Sequence, residues 1–119
     1  MPNPVVHFEI AGKEGKRTMD FYGKLFDWPV QFEPKTNYGM ISQQDKAGIG
    51  GGVYQAMDGM HPHVTVYVQV DDLQKYLDRA SKLGGKVLMP PKEISPEIGW
   101  MAMFADPDGN AIGLFKGNM

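Results

Sequence analysis

Val64-Thr-Val-Tyr-Val-Gln-Val70 places a valine at every second position. In an extended chain successive side chains point to opposite faces. Val64, Val66, Val68 and Val70 therefore share one face, and His63, Thr65, Tyr67 and Gln69 share the other. The valine face calls for cover by a helix, and the next residues supply one. Asp71 is a candidate N-cap, with Gln74 placed as in a capping box. Leu73, Tyr76, Leu77 and Ala80 follow at i, i+3, i+4 and i+7, which draws one apolar stripe. Lys75, Asp78, Arg79 and Lys82 take the wet side. Gly84-Gly85 ends the helix, because glycine accepts the left-handed conformation needed there.

The same pattern stands about 58 residues earlier, a spacing at which a repeat implies repeated architecture. Val6, Phe8 and Ile10 match the valine face; Val5, His7 and Glu9 match His63, Thr65 and Tyr67. A helix over roughly Lys16 to Phe26 carries Phe21/Tyr22 and Leu25/Phe26 at i, i+4 spacing. Further strands are expected near Pro29–Phe32, Gly39–Gln43, Val53–Tyr54, Lys86–Met89, Trp100–Phe104 and Ala111–Phe115. Each half passes a Gly-containing turn, Asp45-Lys-Ala-Gly48 or Asp106-Pro-Asp-Gly109, before its last apolar strand. Asp58-Gly-Met-His-Pro62 joins the halves. The expected fold class is α+β, with two βαβββ repeats over about residues 4–57 and 62–117 of a single domain, 1–119. They would form a curved, partly open mixed sheet, helices on one side and a concave cup on the other. An open concave face is a natural ligand site.

Composition narrows the function classes. The 119 residues suit one core, and 42% apolar with 22% charged residues is ordinary for a soluble domain. Net charge is −2 with no basic stripe, so nucleic acid is not an expected partner. The chain has no cysteine, which removes disulfides, thiol catalysis and thiolate metal sites. No apolar run approaches the ~20 residues of a membrane span, and no signal-peptide pattern opens the sequence. No membrane partner and a cytoplasmic location are the expectation. The nine methionines read as flexible core filler, with the lining of an apolar pocket as the alternative.

Four pieces, in order, make the chain similar to a known family: Phe21-Tyr-Gly-Lys-Leu-Phe-Asp-Trp28, Val70-Asp-Asp-Leu73, Leu83-Gly-Gly85 and Phe104-Ala-Asp-Pro-Asp-Gly-Asn110. Together with the repeat, they resemble the vicinal oxygen chelate superfamily, the glyoxalase / bleomycin-resistance / extradiol-dioxygenase group. The resemblance implies a glyoxalase-like fold. It also implies a metal held in the cup by His, Gln or Glu from the first and last strands of both repeats. Carried over position by position, those ligands fall on His7, Thr65, Gly52 and Gly113. Only His7 can bind a metal, since glycine has no side-chain donor and three protein ligands are typical of catalytic zinc. The family's complete metal site is therefore expected to be absent. A homodimer is implied as well, because short members often complete the cup across two chains.

His7 stands on the polar face of its strand. It reads as a satisfied histidine or as an acid/base or ligand-contacting residue, because its pKa makes proton transfer cheap near neutrality. Glu9 shares that face, and an inward carboxylate needs a partner. The two are the candidate catalytic residues. Thr65 and Tyr67 face the cup by alternation, and Tyr67 offers a ring and a hydroxyl to a small ligand. Gly48-Ile-Gly-Gly-Gly52 lacks the third glycine of a dinucleotide loop and the Gly-Lys-Ser/Thr of a Walker loop, so it reads as close backbone approach or a bulge. Bare glycines at Gly50, Gly51, Gly52 and Gly113 would also enlarge the cup for a flat or bulky ligand. His61-Pro-His63 has chelating spacing but reads as an exposed turn. Trp100, Phe21, Tyr22 and Trp28 read as core; Met101 and Met103 share a face that alternation leaves unassigned. No Ser/His/Asp set has a recognisable spacing.

Two functions are expected. One is a small-molecule-binding protein of this superfamily whose cup holds a partly apolar or planar ligand without cofactor. The other is a metal-dependent enzyme of lactoylglutathione lyase, isomerase or dioxygenase type, with a divalent metal. A metal-free isomerase using His7 and Glu9 lies between them.

Overall fold

Eight strands and two helices follow the chain in the computed structural model, which describes residues 2–117. They are β1 (Val5–Gly12), α1 (Gly15–Phe26), β2 (Val30–Glu33), β3 (Tyr38–Ile41), β4 (Gly50–Gln55), β5 (His63–Gln69), α2 (Leu73–Lys82), β6 (Lys86–Ser95), β7 (Gly99–Ala105) and β8 (Ala111–Gly117). The order is βαβββ twice, and the fold is α+β. Two compact units result: His7–Thr65, and the described residues before and after it.

In the His7–Thr65 unit the strands run in the order β2-β3-β4-β1. β1 and β4 are parallel, with His7 opposite Gly50 and Glu9 opposite Gly52. β3 and β4 are antiparallel, with Tyr38 opposite Tyr54 and Met40 opposite Gly52. The other unit has the equivalent order, β6-β7-β8-β5. Its first and last strands are again parallel, with Tyr67 opposite Gly113. Glu9 and Tyr67 are thus equivalent positions of the repeat, as are Gly52 and Gly113.

Each unit has its own apolar core on the helix side. Met19, Ile41 and Val53 form the first, with Phe8, Ile10, Trp28 and Val30 against it. Val70, Leu73, Leu77, Ala102 and Leu114 form the second, joined by Val68, Tyr76 and Phe104. Phe8 and Ile10 of β1 therefore point to the α1 side, and His7 and Glu9 point away. Ala102 and Leu114 are register partners, as are Met103 and Gly113. Since Ala102 and Leu114 lie in the core, Met101 and Met103 belong to the face of Gly113 and Tyr67, away from α2. Alternation alone left that open.

Several expectations need correction. Val64 is 64% exposed, because the core gathers around the far end of β5, at Val68 and Val70. Asp72, not Asp71, caps α2: its carboxylate accepts from the Lys75 backbone N–H at 3.1 Å. Phe21 is 59% exposed rather than core, although Trp28 packs as expected. Trp100 too lies partly in the open. Asp106-Pro-Asp-Gly-Asn110 is a self-contained turn. Asp106 accepts from the backbone N–H groups of Asp108 and Asn110 and from the Asn110 amide.

Candidate functional site

His7 and Glu9 come to the same face because they are two residues apart on β1. Tyr38 of β3 joins them. Its hydroxyl lies 2.8 Å from His7 Nε2 and donates to Glu9 Oε2 at 3.0 Å. The ring reaches that point by crossing over Gly52 of the intervening strand. A methyl group on Gly52 would overlap the Tyr38 hydroxyl and Cζ. Gly51 serves the opposite face in the same manner, its missing side chain making room for the Phe8 ring.

The cluster continues along β4. The Tyr38 and Tyr54 rings stack at 6.2 Å between centroids, inclined by 15°. The Tyr54 hydroxyl lies 3.2 Å from His63 Nε2, and His63 Nδ1 donates to the His61 carbonyl at 2.8 Å. His63 therefore opens β5, half-buried and hydrogen-bonded. It does not sit in the exposed turn expected for His61-Pro-His63. Burial holds the His7 imidazole below its ordinary pKa range, and the negative charge of Glu9 pulls weakly the other way. Burial, then the same carboxylate, pushes the Tyr54 hydroxyl up, so it stays protonated near neutrality.

In the second unit a tyrosine again occupies the room above the last-strand glycine. A methyl on Gly113 would overlap the Tyr67 ring at Cδ2 and Cε2. The glycines thus do not enlarge a cavity, as bare positions were expected to do. They let aromatic rings lie flat on the sheet, which restores the contacts that a missing side chain forfeits. Thr65 and Tyr67 are packed in consequence, at 3% and 6% exposure. His7, Glu9, Tyr38, Tyr54 and His63 remain half-exposed.

The donor set does not fit the metal that the resemblance implies. Of its four positions Gly52 and Gly113 carry no donor, and tyrosine rings fill the space a carboxylate would need there. Among the described residues no three His, Asp or Glu side chains are grouped to hold an ion. Clefts of 460 and 330 Å³ lie against the helices instead, one lined by Lys16, Met19, Trp28 and Phe32, the other by Val70, Tyr76, Leu83 and Phe104. Neither is lined by His7, Glu9 or Tyr38.

Sequence reasoning placed His7 and Glu9 and missed Tyr38, Tyr54 and His63 as their neighbours. The signal was the glycine run itself, since bare positions in a strand invite rings from adjacent strands, as Phe8 covers Gly51 and Tyr38 covers Gly52.

Comparison with known proteins agrees with this architecture. A family model described as Glyoxalase/Bleomycin resistance protein/Dioxygenase superfamily matches residues 5–114. A putative glyoxylase CFP32 of Mycobacterium tuberculosis is 32% identical over 104 residues, covering 82% of this chain and 40% of that protein. The anthracycline biosynthesis protein DnrV of Streptomyces peucetius is 28% identical over 131 residues, covering 97% and 47%. The chain thus spans less than half the length of these relatives. A crystal structure of a glyoxalase/bleomycin resistance protein/dioxygenase superfamily member from Vibrio splendidus 12B01 superposes with a TM-score of 0.66. It is 15% identical, and the match covers 98% of this chain and 99% of that one, a likeness of fold.

Proposed function

The chain belongs to the Glyoxalase/Bleomycin resistance protein/Dioxygenase superfamily, and on that premise we propose that it binds a small, partly apolar, planar molecule without the family's complete metal site. The face of the first repeat that carries His7, Glu9 and Tyr38 is the contact surface. The observation that supports this reading is the pair of tyrosine rings lying over Gly52 and Gly113. Each takes the volume of a ligand position; Tyr67 is packed there, whereas the half-exposed Tyr38 ring offers aromatic surface. The stacked Tyr38 and Tyr54 rings suit a flat ligand, and His7 and Glu9 supply polar contacts at its edge. One relative is named for anthracycline biosynthesis, so an anthracycline is a sensible first probe of that shape.

Elemental analysis of protein purified without chelator or histidine tag, together with fluorescence titration of an anthracycline, tests the proposal. The expected result is no stoichiometric metal, and saturable binding that weakens in Tyr38→Ala. Stoichiometric Zn, Ni, Fe or Mn that survives dialysis and is lost in His7→Ala would overturn it. That outcome would favour the metal-dependent lyase, isomerase or dioxygenase, whose further ligands would have to come from another chain. A homodimer belongs to the same proposal.

A further inference from the structure

The apolar stripe of α2 does not cover its sheet to the end. Leu73 and Leu77 are buried in the core. The next positions are Ala80, which has only a methyl group, and Leu83, which is 77% exposed. Sheet residues near that last turn are left without a large side chain above them. Val68, Val70, Phe104 and Leu114 line a cleft of 330 Å³ there, together with Ala80 and Leu83. That volume is within the range of small-ligand sites. Arg79 and Tyr76 line the same cleft. The Arg79 guanidinium lies over the Tyr76 ring, 5.1 Å from its centroid. Asn3 donates a side-chain N–H to the Tyr76 hydroxyl at 3.1 Å, and the hydroxyl's own proton has no acceptor among the described residues. Asp106 also lines the cleft, but its carboxylate is taken up by its own turn, accepting from Asp108 and Asn110. Among the described residues Arg79 makes no ion pair with it or with any other carboxylate.

We propose that this cleft between α2 and its sheet is a ligand site for a small aliphatic carboxylate, its chain against Val68, Val70, Phe104 and Leu114 and its head group on Arg79 and Tyr76. Burial of the chain supplies a driving force that has no direction. The charge supplies the selection. A guanidinium presents a planar fork of donors that matches the two oxygens of a carboxylate, and the Tyr76 hydroxyl adds a third donor beside it. An amine of the same chain length would instead meet Arg79 with like charge. A phosphate monoester would set a second negative charge near Asp106, which favours the singly charged head group. The site lies on the helix side of its unit. The face of His7, Glu9 and Tyr38 belongs to the other unit, so this inference does not depend on the planar-ligand reading.

Octanoate and octylamine, equal in chain and opposite in charge, are the probes. Each is titrated into nitrogen-15-labelled protein and followed by its amide shifts. Octanoate should saturate and move the amides of Tyr76, Ala80, Leu83 and Phe104. Octylamine should bind about tenfold more weakly or worse, the scale of a lost charged hydrogen bond. Arg79→Gln keeps a polar side chain on the helix surface and removes the charge. It should weaken octanoate by about tenfold and erase the preference over octylamine. Ala80→Leu puts a larger side chain into the cleft. It should abolish octanoate binding while the unfolding temperature holds or rises, because filling apolar space does not destabilise a fold. No octanoate binding, equal binding of the two probes, or shifts confined to residues outside the cleft overturns the proposal. So does octanoate binding that Arg79→Gln leaves unchanged, a result that stands whether or not Ala80→Leu folds.

Discussion

Gly52 and Gly113 each leave room for a tyrosine ring on the sheet. At Gly113 the neighbouring ring is met from Cδ2 and Cε2 back to Cγ, at 2.8 Å, and Tyr67 is buried, so the ring has nowhere to go. At Gly52 the overlap is with the tip of Tyr38, which is half-exposed. Gly113→Ala is therefore expected to cost about 1–3 kcal/mol, the range of overpacked cores, and Gly52→Ala less. Urea denaturation of Gly52→Ala, Tyr38→Ala and the double variant should give a favourable coupling, because removing the ring removes the overlap. His7 adds a pH dependence. Its pKa is depressed in the folded state, so the unfolded chain binds the proton more readily. The stability this contributes is present above about pH 6.5 and is lost as pH falls through the folded value. Denaturation curves at pH 7 and pH 5 should show a smaller loss in His7→Gln than in the wild type. Equal losses would count against the burial of this imidazole.

At the scale of elements, α2 was readable almost to the residue. The stripe Leu73, Tyr76, Leu77 and Ala80 is local information, and burial of Leu73 and Leu77 follows it. Leu77→Ala should cost about 2–5 kcal/mol, as truncations in filled cores do. Asp72→Ala should cost about 1 kcal/mol through the lost cap; thermal unfolding reads both, and a silent Asp71→Ala is the control. β6 was legible only to Met89, yet the strand continues to Ser95 through Pro90 and Pro91. It is the outermost strand in its unit's order, and an edge tolerates proline because no N–H is required on its open side. Its pairing with β7 slips around these residues, between Met89 and Lys92. Local sequence reads a double proline as a stop, whereas position in the sheet decides whether it is one.

For the molecule as a whole, light scattering at micromolar concentration is expected to report a homodimer, and a monomer would remove that part of the proposal. No described helix is long and apolar enough to cross a membrane. The sequence by itself determined the doubled βαβββ order, the parity that sends His7 and Glu9 away from the helix, and the family. All three depend on spacing along the chain, which a strand or helix converts directly into direction. What the glycines are for was decided only by the tertiary structure. Tyr38 lies 29 residues from Glu9 and 31 from His7 along the chain, and no periodicity links positions on different strands. Register between β1, β4 and β3 laid its ring across Gly52, and only that placement turned an apparent vacancy into a hydrogen-bonded aromatic wall.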